Sequence, residues 1–281
     1  MILGVRTRKT LPYIVATSLL ILTIFPLFWM VSFSFKGVEE LTQFPEPLYW
    51  LPQRPTLSNY EEAFATFTGL KAIWESLSIA SVSTVFALLI GFPAAYAVAR
   101  LRVHRTRFSV LLVPLILRVM PSAVLAIPLL VFYSTFGLID TAGGMVLVYG
   151  GTTVFYVIWL VKPFIDAMPP EIEEAAMVDG VPRWKVPYWV TLPTVLGGVL
   201  IAAFFVFLLD WTEFVFVLSL GRVEIQTIPV VMTSLSAFGV LSGAHGDASA
   251  VSTISLLPFL VGAYYLQKQL LRVSLFGPVG R

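Results

Sequence analysis

The 281 residues include no cysteine, which removes disulfides, thiolate metal sites and cysteine nucleophiles from consideration. Histidine is nearly missing as well: His104 and His245 alone leave little from which to build a zinc site. No Gly-x-x-x-x-Gly-Lys-Ser/Thr run occurs, so the chain has no phosphate loop with which to hydrolyse a nucleotide. HExxH, GxSxG and paired intramembrane carboxylates are also missing, which argues against a membrane-embedded enzyme. Charge is scarce, at 12% of residues against about 25% in a soluble domain. A net charge of +2 is too small to argue for nucleic acid.

What replaces these is apolar surface, with 58% of residues hydrophobic. The N-terminus is basic and runs into an apolar segment without a small-x-small cleavage site, which reads as an uncleaved anchor. A helical membrane span takes about 20 apolar residues. Six runs meet that length, near 11–33, 76–99, 109–133, 143–163, 190–217 and 249–267. None alternates at period two, so the expected fold class is all-α, a polytopic membrane protein with six transmembrane helices.

Thirteen of the eighteen basic residues fall on the side of the termini, in clusters such as Arg100, Arg102, Arg105 and Arg107. By the positive-inside rule both termini are expected to be cytoplasmic, and so is the connection between the fourth and fifth spans. Residues 34–75 and 218–248 then lie outside and read as loops, the second ending in small flexible residues.

The cytoplasmic connection contains PPEIEEAAMVDGVPRWK, residues 169–185. Pro169 or Pro170 suits a first helical turn, and Glu171, Glu173 and Glu174 sit where the helix dipole favours negative charge. Gly180 supplies a left-handed terminus, and a second segment is expected to begin at Pro182. A helix this short is marginal alone in water, and no soluble domain of the chain is expected to receive it. Either it docks on a partner, with Ala175 and Ala176 permitting close approach, or it is a capped turn at the membrane surface.

Glu174-Ala175-Ala176, followed by Asp179-Gly180 and later Leu192-Pro193, resembles the EAA loop of bacterial ATP-binding-cassette (ABC) importer permeases. GFPAAYAVARL (91–101), MPSAVLAIPLLVFYSTFGLIDT (120–141), DWTEFVFVLSL (210–220), TIPVVMTSL (227–235) and the tail SLFGPVGR resemble the carbohydrate branch of that family. Two departures stand out. No second proline follows Pro193, where Gly197-Gly198 stands instead, and Glu75 occupies the place where the second span commonly opens with Asn-Ser.

The resemblance implies a type I ABC importer permease (MetI-like) fold, with an anchor span and outer loop at 1–75 and a five-span core at 76–281. It places the coupling loop at 164–189 and implies that Glu171, Glu173, Glu174, Ala175, Ala176, Met177, Asp179 and Gly180 meet the ATPase. It further implies a second homologous permease subunit in a heterodimer, two cytoplasmic ATPase subunits that use ATP and Mg, and an extracytoplasmic solute-binding protein. No cofactor would be bound by this chain, and the site would be the cytoplasmic membrane of a bacterium or archaeon. The expected cargo is a sugar or polyol, with glycerol or glycerol phosphate as an alternative.

An ion-coupled secondary transporter is a further alternative, disfavoured because the middles of the runs lack Asp and Glu. Among single residues, Arg118 lies inside the third run and either faces a pathway or subunit partner or snorkels to the interface. Trp211 and Glu213 either line the solute path or sit in the headgroup belt. Ser236, Phe238, Ser242 and His245 belong to an outer segment that resembles in position a loop reaching the binding protein; a plain flexible loop has the same composition.

Overall fold

The computed structural model describes residues 3–42, 49–65, 67–100, 121–242 and 245–275. The described residues are overwhelmingly helical and contain no strand. In chain order the helices are α1 (Leu3–Ser34), α2 (Val38–Thr42), α3 (Ser58–Ala65), α4 (Phe67–Arg100), α5 (Ser122–Phe136), α6 (Ala142–Ala167) and α7 (Pro170–Val178). A π-helical turn, Pro187–Thr191, leads into α8 (Leu192–Thr194) and α9 (Leu196–Trp211). The chain continues through α10 (Val215–Leu220), α11 (Ile228–Ser242), α12 (His245–Ser255) and α13 (Leu257–Leu275).

Four stretches are long and apolar enough to cross a membrane: Pro12–Ser34, Gly69–Arg100, Ala142–Ala167 and Gly246–Gln267. They coincide with the first, second, fourth and sixth expected spans. Of the third, α5 is described, while 109–120 lies outside the described residues. The fifth differs from a straight rod: Pro187–Thr194 and Leu196–Trp211 meet at 81°. Proline, paired glycines and π-turns each break a helix, and here Pro187, Pro193, the π-turn and Gly197-Gly198 fall within a dozen residues.

The chain forms two compact units, Met1–Leu70 with Val231–Leu257, and Lys71–Val230 with Pro258–Arg281. In the first, α12 packs on α1 and α3. Asn59, almost fully buried, donates to the Ser34 and Lys36 carbonyls at 2.9 and 2.8 Å and fixes the chain after α1. Lys36 is buried too, but its ammonium is satisfied by the Tyr49 carbonyl, by Glu40 at 3.9 Å and by the Phe33 ring.

In the second unit, α4, α6 and α9 share a core of Ala87, Ala95, Val157, Val161, Ala202 and Val206. Small residues let membrane helices approach closely where lipid supplies no hydrophobic drive between them. A Cβ on Gly198 would lie 2.3 Å from the Phe164 ring, so that glycine sets how closely α9 meets α6.

The segments expected to lie outside are more ordered than their composition suggests. Residues 34–75 carry α2, α3 and the start of α4, and 218–248 carries the end of α10, all of α11 and the start of α12. The flexible reading of 236–247 is therefore corrected: the backbone is helical up to Ser242 and again from His245. The side chains of Ser236, Phe238, Ser242 and His245 lie outside the described residues, as does Arg118.

Residues 221–228 are held by side chains remote in sequence. The Asp140 carboxylate accepts the backbone N–H groups of Arg222, Val223, Glu224 and Ile225 at 2.9–3.0 Å. Glu75 accepts Gln226 N–H at 2.6 Å, and Ser76 Oγ accepts Ile228 N–H at 2.9 Å. Glu75, a departure from the family pattern, thus has a structural use.

Partial burial alone would raise the Asp140 pKa, but the four amides outweigh it and hold the carboxyl at about 2. A depressed carboxylate stabilises fully above its unfolded value of 3.8 and loses that contribution as pH falls through about 2. Asp140→Asn is expected to lower stability at neutral pH by on the order of 1–3 kcal/mol. The gap between variant and parent in thermal unfolding should narrow as pH falls from 4 toward 2. A constant gap over that range would show that the charge is not what holds the loop.

Candidate functional site

The polar connection folds as its residues dictate. Pro169 and Pro170 open α7, where a missing N–H has no consequence, and Glu171 and Glu173 occupy its first turn. At the other end Val181 N–H reaches the Ala176 carbonyl at 3.0 Å and Gly180 N–H the Met177 carbonyl at 3.1 Å. This is a Schellman closure. It requires the left-handed φ of +93° that Gly180 adopts. The chain then turns through Pro182–Lys185, with Lys185 N–H on the Pro182 carbonyl at 2.8 Å. The next helical segment begins at Val186 rather than at Pro182.

One side of α7 is fastened to the membrane helices through Glu173, which is only 5% exposed. Arg100, the last residue of α4, grips it in a two-pronged pair, Nε to Oε2 and Nη2 to Oε1, both 2.8 Å. Thr191 in the π-turn donates to Oε1 at 2.7 Å, and Tyr96 donates to Oε2 at 3.3 Å. Arg100 also donates to the Ile165 carbonyl of α6 at 3.3 Å. One carboxylate therefore joins α7 to α4 and the π-turn, and through Arg100 to α6. Burial alone would raise its pKa, but the bonds from Arg100 and Thr191 prevail and hold it below the ordinary glutamate value.

The opposite side of α7 is open. Glu171, Glu174, Ala175, Met177, Asp179 and Gly180 are exposed and Ala176 is half-buried. Val178 is 87% exposed and Trp184, just beyond the corner, 70%. Acidic groups alternate there with apolar side chains, a composition suited to a partner bearing both basic and apolar groups.

Of the residues expected to face a partner, Glu173 is the exception. It points into the helical core, while its neighbour Glu174 points out. Arg100 and Thr191 were not singled out by sequence reasoning, which had taken the Arg100 cluster for a topology signal. The only sequence hint was the arginine closing the second apolar run.

Trp211 and Glu213 separate. Trp211 is 4% exposed and its ring stacks on Phe207 at 5.6 Å between centroids, so it offers no open face to a solute. Glu213 caps α10, its Oε1 accepting Val215 and Phe216 N–H at 2.9 and 3.2 Å. It also borders a cavity that reaches the middle of α6, together with Asp210. The middles of the runs lack Asp and Glu, as expected, and the carboxylates of Asp210 and Glu213 sit at the end of the fifth run. The bend in the fifth run starts α9 at Leu196, and its C-terminal end lies against Tyr149–Tyr156 of α6.

Residues 87–272 match the family model described as binding-protein-dependent transport system inner membrane component. The sulfoquinovosyl glycerol transport system permease protein SmoH of Agrobacterium fabrum is 32% identical over 79% of this chain and 77% of its own. The trehalose/maltose transport system permease protein MalG of Thermococcus litoralis is 28% identical over 93% of each. Among solved structures, a chain of a bacterial ABC transporter involved in the import of the acidic polysaccharide alginate superposes with a TM-score of 0.77. That superposition covers 94% of this chain and 96% of the other at 18% identity, a likeness of fold. The matched family, the apolar spans and the fold agree, and the chain belongs to the binding-protein-dependent inner membrane components, as a multi-pass permease subunit of an ABC importer.

Proposed function

We propose that this permease subunit moves a sugar or polyol inward, driven by ATP hydrolysed with Mg on two cytoplasmic ATPase subunits that grip α7. The two-sidedness of α7 carries the reading: one side is fastened to three helical segments by Glu173 and Arg100, the other is bare. A helix built this way passes a push on its open face to the spans as a rigid body. Glu171, Glu174, Ala175, Ala176, Met177, Asp179 and Gly180 form the contact with the ATPase. The named systems of the two relatives, sulfoquinovosyl glycerol and trehalose/maltose, support a hydroxyl-rich cargo. A second permease subunit completes the pathway, and an extracytoplasmic binding protein delivers the solute. Both termini lie in the cytoplasm, in keeping with the distribution of basic residues.

Gly180→Pro tests this directly. Proline fixes φ near −65°, against +93° here, and removes the N–H that closes on Met177. The complex purified in mild detergent is expected to lose its ATPase and keep the second permease. An ATPase retained undiminished by the variant would contradict docking through this corner.

A further inference from the structure

We propose that the turn and short helix just beyond the Gly180 corner, residues 182–189, bind the headgroup of an anionic phospholipid. Arg183 and Lys185 meet its phosphate, and the rings of Trp184, Tyr188 and Trp189 seat the segment in the membrane surface on the α7 side. The whole site belongs to the second unit. One corner of the chain then divides a surface for a protein from a surface for lipid.

The direction of the chain places the segment. Val199, Ala202 and Val206 of α9 share one core with Val154, Val157 and Val161 of α6, so the two helices run side by side. α6 is a 26-residue apolar span, and α9 carries no charge before Asp210. Pro187–Thr194 meets α9 at 81°. With α9 crossing the bilayer, that arm lies close to the membrane plane, where an amphipathic segment rests with its polar edge among headgroups. Its sides differ accordingly. Val186 and Thr191 are buried, Thr191 on Glu173, while Arg183, Trp184 (70% exposed), Tyr188 (47%) and Trp189 (62%) face outward.

The outward groups are held in a fixed arrangement. The Lys185 ammonium lies 4.2 Å from the centre of the Trp189 ring and 5.0 Å from that of Trp184. Lys185 N–H donates to the Pro182 carbonyl at 2.8 Å, and its own carbonyl accepts Tyr188 and Trp189 N–H at 3.0 and 2.8 Å. Two indoles thus hold one side of an ammonium that has three donors, leaving others for an anion. Charge changes sign at Gly180. Glu171, Glu173, Glu174 and Asp179 precede it, whereas residues 180–209 contain Arg183 and Lys185 and no Asp or Glu. Trp and Tyr favour the headgroup level, and basic side chains there are drawn to anionic lipid. An ATPase surface that receives the acidic α7 would bear basic groups and set like charge against Arg183 and Lys185; lipid phosphate offers the opposite sign.

The complex, purified in mild detergent and reconstituted into phosphatidylcholine vesicles, supplies the test. Since the chain has no native cysteine, Tyr188→Cys and, on the open face of α7, Val178→Cys each accept one bimane fluorophore. The parent complex treated alike gives the background of the other subunits. A small fraction of phospholipid carrying a quenching spin label high on its acyl chain is added, either as phosphatidylglycerol or as phosphatidylcholine. Quenching is expected at 188 and not at 178, and the anionic form should quench at 188 about fivefold more strongly than the zwitterionic one. Salt at about 1 M, where the Debye length falls to about 3 Å, should shrink that preference. Arg183→Gln with Lys185→Gln should bring it near one while quenching by phosphatidylcholine persists, the sign that the segment still sits in the surface. No quenching at 188 beyond that at 178, equal quenching by both lipids in the parent, or a preference that either salt or the double variant leaves untouched would overturn the site. A label at 188 that lipid reaches only after the ATPase subunits are stripped away would assign the segment to the ATPase and overturn it as well.

Discussion

Glu173→Ala is expected to cost about 3–5 kcal/mol in the stability of the second unit, because it strands the Arg100 guanidinium without its carboxylate. Its functional effect should differ in kind from that of substitutions on the open face of α7, which weaken docking rather than coupling. With the fastening gone, α7 still presents Glu174 and Ala175 to the ATPase, but its movement is no longer imposed on α4, α6 and the π-turn. ATP hydrolysis in reconstituted complexes should continue while solute uptake per ATP falls by an order of magnitude or so. Glu173→Gln separates this from simple unfolding: it keeps the shape and can still accept from Arg100 and Thr191, so intermediate coupling with near-normal assembly is expected. Because the Glu173 pKa is depressed, its contribution is complete above the ordinary value of 4.5 and disappears only in acid below it. Coupling in the parent should then be insensitive to pH near neutrality, as far as Glu173 governs it. Full coupling in both variants would show that α7 transmits force by another route.

Gly198→Leu is the second substitution with a large expected effect. Its Cβ alone would stand 2.3 Å from Phe164, and a leucine adds three more carbons where α9 meets that ring of α6. Overpacking of this kind typically costs about 1–3 kcal/mol, and here it would also pry α9 from the helix against which its far end closes the cavity. Uptake should fall with stability, measured as thermal inactivation of the complex. Phe164→Ala in the same chain should recover a good part of both, since it removes the ring that the leucine meets. Failure of the pair to improve on Gly198→Leu would place the damage elsewhere.

The sequence made α7 legible because its determinants are local: prolines at the start, acidic residues in the first turn and a glycine at the stop all act within a dozen residues. The side on which each glutamate falls was not legible. Glu173 and Glu174 are adjacent and chemically identical, and what turns one inward is an arginine 73 residues earlier. The same holds for Asp140, whose four amide partners lie 82 to 85 residues downstream. In the fifth run the helix breakers are visible in the sequence, but the angle they produce together is not. Their combination produces an 81° bend, and that bend decides where Asp210 and Glu213 come to rest. Trp211 shows the converse for its ring pair: its partner Phe207 is four residues away on the same helix face, a contact that spacing alone makes readable.

Coupling through α7 requires its open face to meet an ATPase, and a chain free of cysteine allows that contact to be tested with one thiol at a time. Ala175→Cys on the exposed side of α7, with Leu51→Cys on the exposed segment before α3 for comparison, would be treated in the assembled complex with a short thiol-to-amine cross-linker. The prediction is a covalent adduct between this chain and the ATPase from position 175, changed in yield by ATP, and none from position 51. A complex that retains its ATPase yet gives no adduct from Ala175→Cys, or gives one equally from Leu51→Cys, would contradict the claim that α7 is the coupling element.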